Sequence, residues 1–172
     1  MGTAAIVIVF VVLTLPTCVN AFLVVTVAGG GVDGSSNAPA TSASLANPAG
    51  VTMASNGSLI VADTLNNRVF SLHPPPTANT TASGNIVIVA GTGSGGYYGD
   101  SGPALLAMLL APAYCVFSAS HDLYIADSSN SVVRRVTSVT QVIWAYAGIG
   151  GIAGYGGDGG PATAASLNGP SS

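Results

Sequence analysis

The chain repeats one connector three times, and the spacing inside it does not change. Pro39 and Pro48, Pro103 and Pro112, and Pro161 and Pro170 each stand nine residues apart. A leucine lies three residues before the second proline each time (Leu45, Leu109, Leu167). A Gly-rich run of variable length precedes each pair, beginning Ala28-Gly29, Ala90-Gly91 and Ala147-Gly148. Fixed spacing behind a variable loop marks a repeated structural unit.

The segments after the first two connectors repeat as well. Residues 50–54 and 114–118 are short apolar runs, then come the turns Ser55-Asn56-Gly57 and Ala119-Ser120-His121. Next stand the runs Leu59-Ile60-Val61-Ala62-Asp63 and Leu123-Tyr124-Ile125-Ala126-Asp127, 64 residues apart. A polar turn, a third β-branched run and a fourth run ending in Ala-Gly complete each unit. Four short strands joined by turns predict an antiparallel sheet. Such sheets at a period near sixty predict blades of a β-propeller. The expected organisation is blade 1 at about 48–91, blade 2 at about 112–148 and a connector at 149–172. Residues 22–27 read as the outer strand of a preceding blade.

These residues resemble the NHL-repeat family over roughly residue 22 to the end. The resemblance rests on Pro48, Gly50 and Val51 at the strand start, and on the Leu-x-Val/Ile-Ala-Asp strand. It rests also on the Asn66-Asn67-Arg68 turn and the Gly-Asp-Gly-Gly-Pro-Ala connector. It implies an all-β partial propeller acting as a scaffold. Unit 2 departs at Val132 and Tyr114, which stand where unit 1 has Arg68 and Gly50.

Residues 4–13 form an unbroken apolar run, and Val19-Asn20-Ala21 suits signal peptidase. The expectation is an N-terminal hydrophobic helix over residues 1–21, either a cleaved signal peptide or an anchor. The run is shorter than the ~20 residues that span a bilayer. Membrane contact is expected only through residues 4–15, if they are retained. The rest of the chain is then extracellular or at the cell surface, reached by the secretory pathway. Two acceptor sites for N-glycosylation agree with this: Asn56-Gly57-Ser58 and Asn79-Thr80-Thr81.

Only 5 % of residues are charged and the net charge is −3. Arg134-Arg135 is the one basic pair, and phosphate recognition needs clustered cations, so nucleic acid is not expected. Half the residues are apolar (49 %), enough for a core. Cys115 aligns with Val51 and reads as a small buried apolar residue rather than a reactive thiol.

The candidate site residues are turn residues of the repeat: Asp63, Asn67, Arg68, Asp127, Asn130, Asp100 and Asp158. Asp63 and Asp127 each close a strand, where a carboxylate is expected to accept from its own turn's N–H groups. A residue recurring once per unit points to structure rather than catalysis. Arg68 is expected to neutralise an Asp or cover the outer blade face. Asp100 and Asp158 supply one carboxylate per Gly-rich loop, too few oxygens for Ca²⁺. Leu109 is expected to plug between blades. The Pro-rich loop after His73 reads as a surface insertion.

His73 and His121 are scattered, and no Gly-x-Ser-x-Gly, CxxC or paired Glu is present. No cofactor, metal or catalytic residue is therefore expected. The expected function is a non-catalytic scaffold for protein or glycan partners. The alternatives are part of a propeller enzyme, lyase- or lactonase-like, or of a membrane receptor's sensor domain. A closed propeller takes roughly four to eight blades. Two complete units lead to the expectation of a longer protein or a partial array.

Overall fold

The computed structural model describes residues 7–11, 23–29, 31, 37–73 and 84–172. It is all-β, with two antiparallel sheets packed face to face and a separate hairpin. The first sheet runs β3 (Pro48–Met53), β4 (Leu59–Asp63), β5 (Arg68–Leu72) and β6 (Ile86–Ala90) in sequence order. The second contains β8 (Pro112–Phe117), β9 (Leu123–Asp127), β10 (Val132–Val136) and β11 (Val142–Ala147). A two-residue strand, β7 (Gly102–Pro103), pairs with β11 and makes the fifth member. These are the four-stranded blades of a partial propeller.

Period-two alternation decides which side chains face the neighbouring blade. In blade 1, Ile60, Ala62 and Val69 point toward blade 2, where Cys115, Leu123, Ile125, Val136 and Ile143 meet them. Leu109, fully buried, sits among them with Ala104 and Ala107. The other face of blade 1 buries Val61, Phe70, Leu72 and Ile86 beneath Ala38, Ala40, Ala43 and Leu45 of the first connector. Inner strands β3 and β8 approach so closely that a Cβ on Gly50 would lie 2.5 Å from the Ala113 carbonyl. We predict that Gly50→Ala weakens the blade contact and lowers the thermal midpoint, while Gly57→Ala, open on its side-chain side, leaves that contact intact.

Within the segment expected to be a hydrophobic helix, residues 7–11 are extended and form β1 (Val7–Val11), paired antiparallel with β2 (Leu23–Ala28). The remainder of residues 1–22 lies outside the described residues. The β1–β2 register skips once, Val7 opposite Ala28 and Ile8 opposite Thr26. The same skip occurs at Val69/Phe70 in β5–β6 and at Val133/Arg134 in β10–β11. β1–β2 thus reproduces the outer hairpin of a blade. A run of Ile, Val and Phe suits a buried strand as well as a leader, and periodicity alone cannot separate the two.

The three connectors also fold alike. Gly29, Gly91 and Gly148 each donate their N–H to an alanine carbonyl (Ala40, Ala104, Ala162) at 3.0 Å. Each connector then makes one 3₁₀ turn, at Ala40–Ser42, Ala104–Leu106 and Ala162–Ala164. The residue before the second proline is left-handed every time: Asn47, Ala111 and Gly169, with φ of 52°, 49° and 57°. Connectors 1 and 2 cover the outer edge of the blade they precede, through Pro39 opposite Asn85 and Gly102–Pro103 opposite β11. That satisfies an edge that would otherwise be open to pairing.

Candidate functional site

Asp63 and Asp127 are both fully buried, and the geometry around them is the same. Asp63 Oδ1 accepts the Ala46 N–H at 2.7 Å and Oδ2 accepts Asn66 Nδ2 at 2.6 Å. Asp127 Oδ1 accepts the Leu110 N–H at 2.7 Å and Oδ2 accepts Asn130 Nδ2 at 2.8 Å. This corrects the sequence expectation. The backbone donor belongs to the connector seventeen residues upstream, not to the turn itself. The carboxylate therefore pins the Leu-x-x-Pro end of the connector to the second strand. Burial pushes both carboxyls above their ordinary range, and the Asn and backbone bonds oppose it.

Asn67 and Asn130 do not occupy equivalent places. Asn130 is the counterpart of Asn66, which the sequence reading named in the repeat's turn but not among the candidate site residues. Asn67 is the left-handed residue after the 3₁₀ turn (φ 51°), matched by Ser131 (φ 56°). Its Oδ1 accepts the Ala111 N–H at 2.9 Å and so ties blade 1 to the start of blade 2. Thr64 Oγ1 makes a parallel tie to the Pro112 carbonyl at 2.9 Å, and Ser128 Oγ repeats it on Pro170. Arg68 donates from Nη2 to the Thr92 carbonyl at 2.8 Å and lies against Gly93. Its charge also lowers the Asp63 carboxyl, as a minor contribution.

The sequence reading missed Arg134. It stands on the inward face of β10, where blade 1 has Phe70, and is fully buried. Nη2 pairs with Asp100 Oδ1 at 2.7 Å, and Nη1 lies 3.5 Å from Asp127 Oδ2. Tyr97 packs its ring 5.0 Å from the guanidinium carbon and donates its hydroxyl to Asp100 Oδ2 at 2.5 Å. Burial and the Asp100 carboxylate push the Tyr97 hydroxyl up to about 12. Asp100 is thus a counter-ion that closes the Gly-rich loop over Arg134. Asp158, its counterpart in connector 3, is exposed.

At the opposite edge of blade 2, Asp122 accepts the Ser138 N–H at 2.8 Å and pairs with Arg135 Nη2 at 2.6 Å. The Ser138 bond, with Arg135 behind it, holds this carboxyl below its ordinary value of 3.8. A lowered folded pKa gives stability above the unfolded value that is lost as pH falls through the folded one. Asp63 and Asp127 carry the opposite sign. We expect Asp122→Asn to flatten the acid limb of the stability curve below about pH 4, read by denaturant midpoints across pH. An acid limb unchanged from the parent contradicts this.

Blade 1 puts Ser58 where blade 2 has Asp122. Ser58 Oγ, buried, lies 3.1 Å from His73 Nδ1. Ser58, His73 and Asn56 line an open cleft of about 380 Å³ between the blades, with Phe117, Leu105 and Gln141. His121 lies elsewhere, its Nε2 3.1 Å from Ser55 Oγ across the hairpin tips. Cys115 is buried with its thiol pushed up to about 12 by desolvation. Among the described residues no cluster of three His, Cys, Asp or Glu is placed to hold a metal. Asn56 is exposed at its turn with Oδ1 accepting the Ser58 N–H at 3.0 Å. Asn79 and the Pro-rich loop lie outside the described residues.

Comparison with known proteins agrees with this geometry. An NHL-repeat model matches residues 45–70, which hold β3, β4 and the Asp63–Asn66 turn. The crystal structure of a structural genomics protein of unknown function from Bacteroides thetaiotaomicron is similar in fold, with a TM-score of 0.57 at 17 % identity. The match covers 67 % of this chain and 26 % of that one, so the chain spans about a quarter of the neighbour's length. No curated protein matches the sequence.

Proposed function

We propose that this NHL-repeat chain is a non-catalytic scaffold of the cell exterior that binds protein or glycan partners. The supporting observation is the cleft between the blades. It is lined by apolar side chains (Phe117, Leu105) and polar ones (Asn56, Thr140, Gln141) around about 380 Å³. Mixed lining of that kind suits a sugar ring or an extended peptide, which need both contact area and a few directed hydrogen bonds. The carboxylates best placed for acid–base work are committed to connector N–H groups or arginines (Asp63, Asp127, Asp100, Asp122).

A glycan array and a peptide library probed with the full chain test the reading. Ligand retained by the parent and lost in Gln141→Ala and Leu105→Asp supports it. Bound divalent metal with hydrolase or lyase turnover rejects it. Export is a separate part of the proposal, and the exposed Asn56 sequon supports it. We expect endoglycosidase to shift the mobility of the exported parent, with Asn56→Gln removing that site's share. Terminal sequencing of the exported chain distinguishes loss of the first 21 residues from retention of β1.

A further inference from the structure

We propose that the cleft between the blades holds the carboxylate of an acidic sugar, a hexuronic acid unit, on His73 and Ser58, and holds it more tightly as His73 takes up a proton. The assignment rests on the cleft being the ligand site.

Ser58 is 2 % exposed, and its Oγ has one hydrogen-bond partner among the described residues, His73 Nδ1 at 3.1 Å. A buried hydroxyl hydrogen needs an acceptor, so Ser58 donates and the neutral ring carries its own proton on Nε2. The pair is then closed on itself. His73 follows β5 directly, is exposed, and is held there by its N–H, which donates to the Asn85 carbonyl at 2.9 Å. Protonation of Nδ1 reverses the Ser58 bond. The ring then donates to Ser58 Oγ, and the Ser58 hydrogen loses its acceptor. The cleft lining now holds a hydroxyl donor beside a positive ring with a second N–H. A carboxylate, which only accepts, satisfies the donors and the charge together.

No other group in the cleft competes for that charge. Among the described residues its lining holds no Asp, Glu, Lys, Arg, Tyr or Cys, so His73 is its one titratable group. Residues 74–83, which follow His73, contain no ionisable side chain. On the blade 2 side Asp122 is paired with Arg135 at 2.6 Å, and His121 lies against Ser55 at the hairpin tips. The lining is therefore uncharged when His73 is neutral and singly positive when it is protonated.

A sugar fits this cleft better than a peptide does. An extended peptide gains affinity by pairing with a sheet edge. Both edges beside the cleft are taken: the Asn37 N–H donates to the Ile86 carbonyl at 2.7 Å on β6, and β7 pairs with β11. The cleft offers instead side-chain amides and hydroxyls (Asn56, Thr140, Gln141) beside the Phe117 ring, a set suited to sugar hydroxyls and a ring face. Its volume of about 380 Å³ is at the small end of the roughly 300–1,000 Å³ of ligand pockets, room for a short stretch of oligosaccharide.

Calorimetric titration of the full chain with a galacturonic acid trisaccharide and with its methyl ester tests this. The ester keeps the rings and removes the charge. The acid is expected to bind about tenfold more tightly at about pH 5.5 than at about pH 7.5, the window in which a histidine changes charge, and the ester equally at both. His73→Gln should abolish the gain while leaving ester binding and the denaturant midpoint in place. Ser58→Ala should weaken the acid at the lower pH and leave the ester unchanged. Acid affinity that ignores pH, or a gain that survives His73→Gln, overturns the proposal, while ester binding leaves the cleft standing as a sugar site. A His73-dependent gain for N-acetylphenylalanine but not for the uronate overturns the sugar assignment in favour of a peptide carboxylate. Binding of neither trisaccharide at either pH overturns both the proposal and the glycan reading of the cleft.

Discussion

Asp127→Ala is expected to cost roughly 3–5 kcal/mol, the range for removing one member of a buried ion pair. The change strips the Leu110 N–H and Asn130 of their acceptor and leaves the fully buried Arg134 with Asp100 as its counter-ion. Asp63→Ala removes the matching bonds to Ala46 and Asn66 but orphans no buried cation. It should cost less, about 1–3 kcal/mol, the penalty for unsatisfied buried donors. Denaturant midpoints at constant slope read both. Equal effects would contradict the role given to Arg134.

Leu109→Ala should be as damaging, at about 2–5 kcal/mol, because its side chain fills the space between two packed sheets. Leu167 holds the same place in connector 3 but is only partly buried. Leu167→Ala should cost under about 1 kcal/mol, since little packing is lost. Sequence alone ranks these two leucines as equals. A similar loss at both positions would mean that the connectors are not wedges between blades.

Much of the fold was legible because strand patterning and proline spacing are local signals. Leu59 to Asp63 and Leu123 to Asp127 could be aligned without any knowledge of contacts. Leu109 as a plug followed from its place before the second proline. Long-range partners were not legible. That Asp63 reaches Ala46, and not its own turn, depends on how the connector folds back. Asn66 carried a signal that was available, the three-residue offset from the aspartate that it shares with the named Asn130. Arg134 carried one too. In Val132-Val133-Arg134-Arg135-Val136, alternation places Arg134 on the same face as Val132 and Val136, so one arginine of the pair had to point inward. The N-terminal run was not decided by sequence, because a short stretch of branched apolar residues serves a leader and a strand equally well.

The central claim is that the two sheets face each other across β3 and β8. Proton NOEs measured between the blades test it most directly. The account predicts cross-peaks from the Gly50 α protons to the Tyr114 ring, and from Cys115 to the Ile60–Val61 peptide, since Cys115 Sγ lies 4.0 Å from the Ile60 carbonyl. Cross-peaks from Tyr114 and Cys115 confined to their own sheet, or helical sequential contacts through residues 51–63, would contradict it.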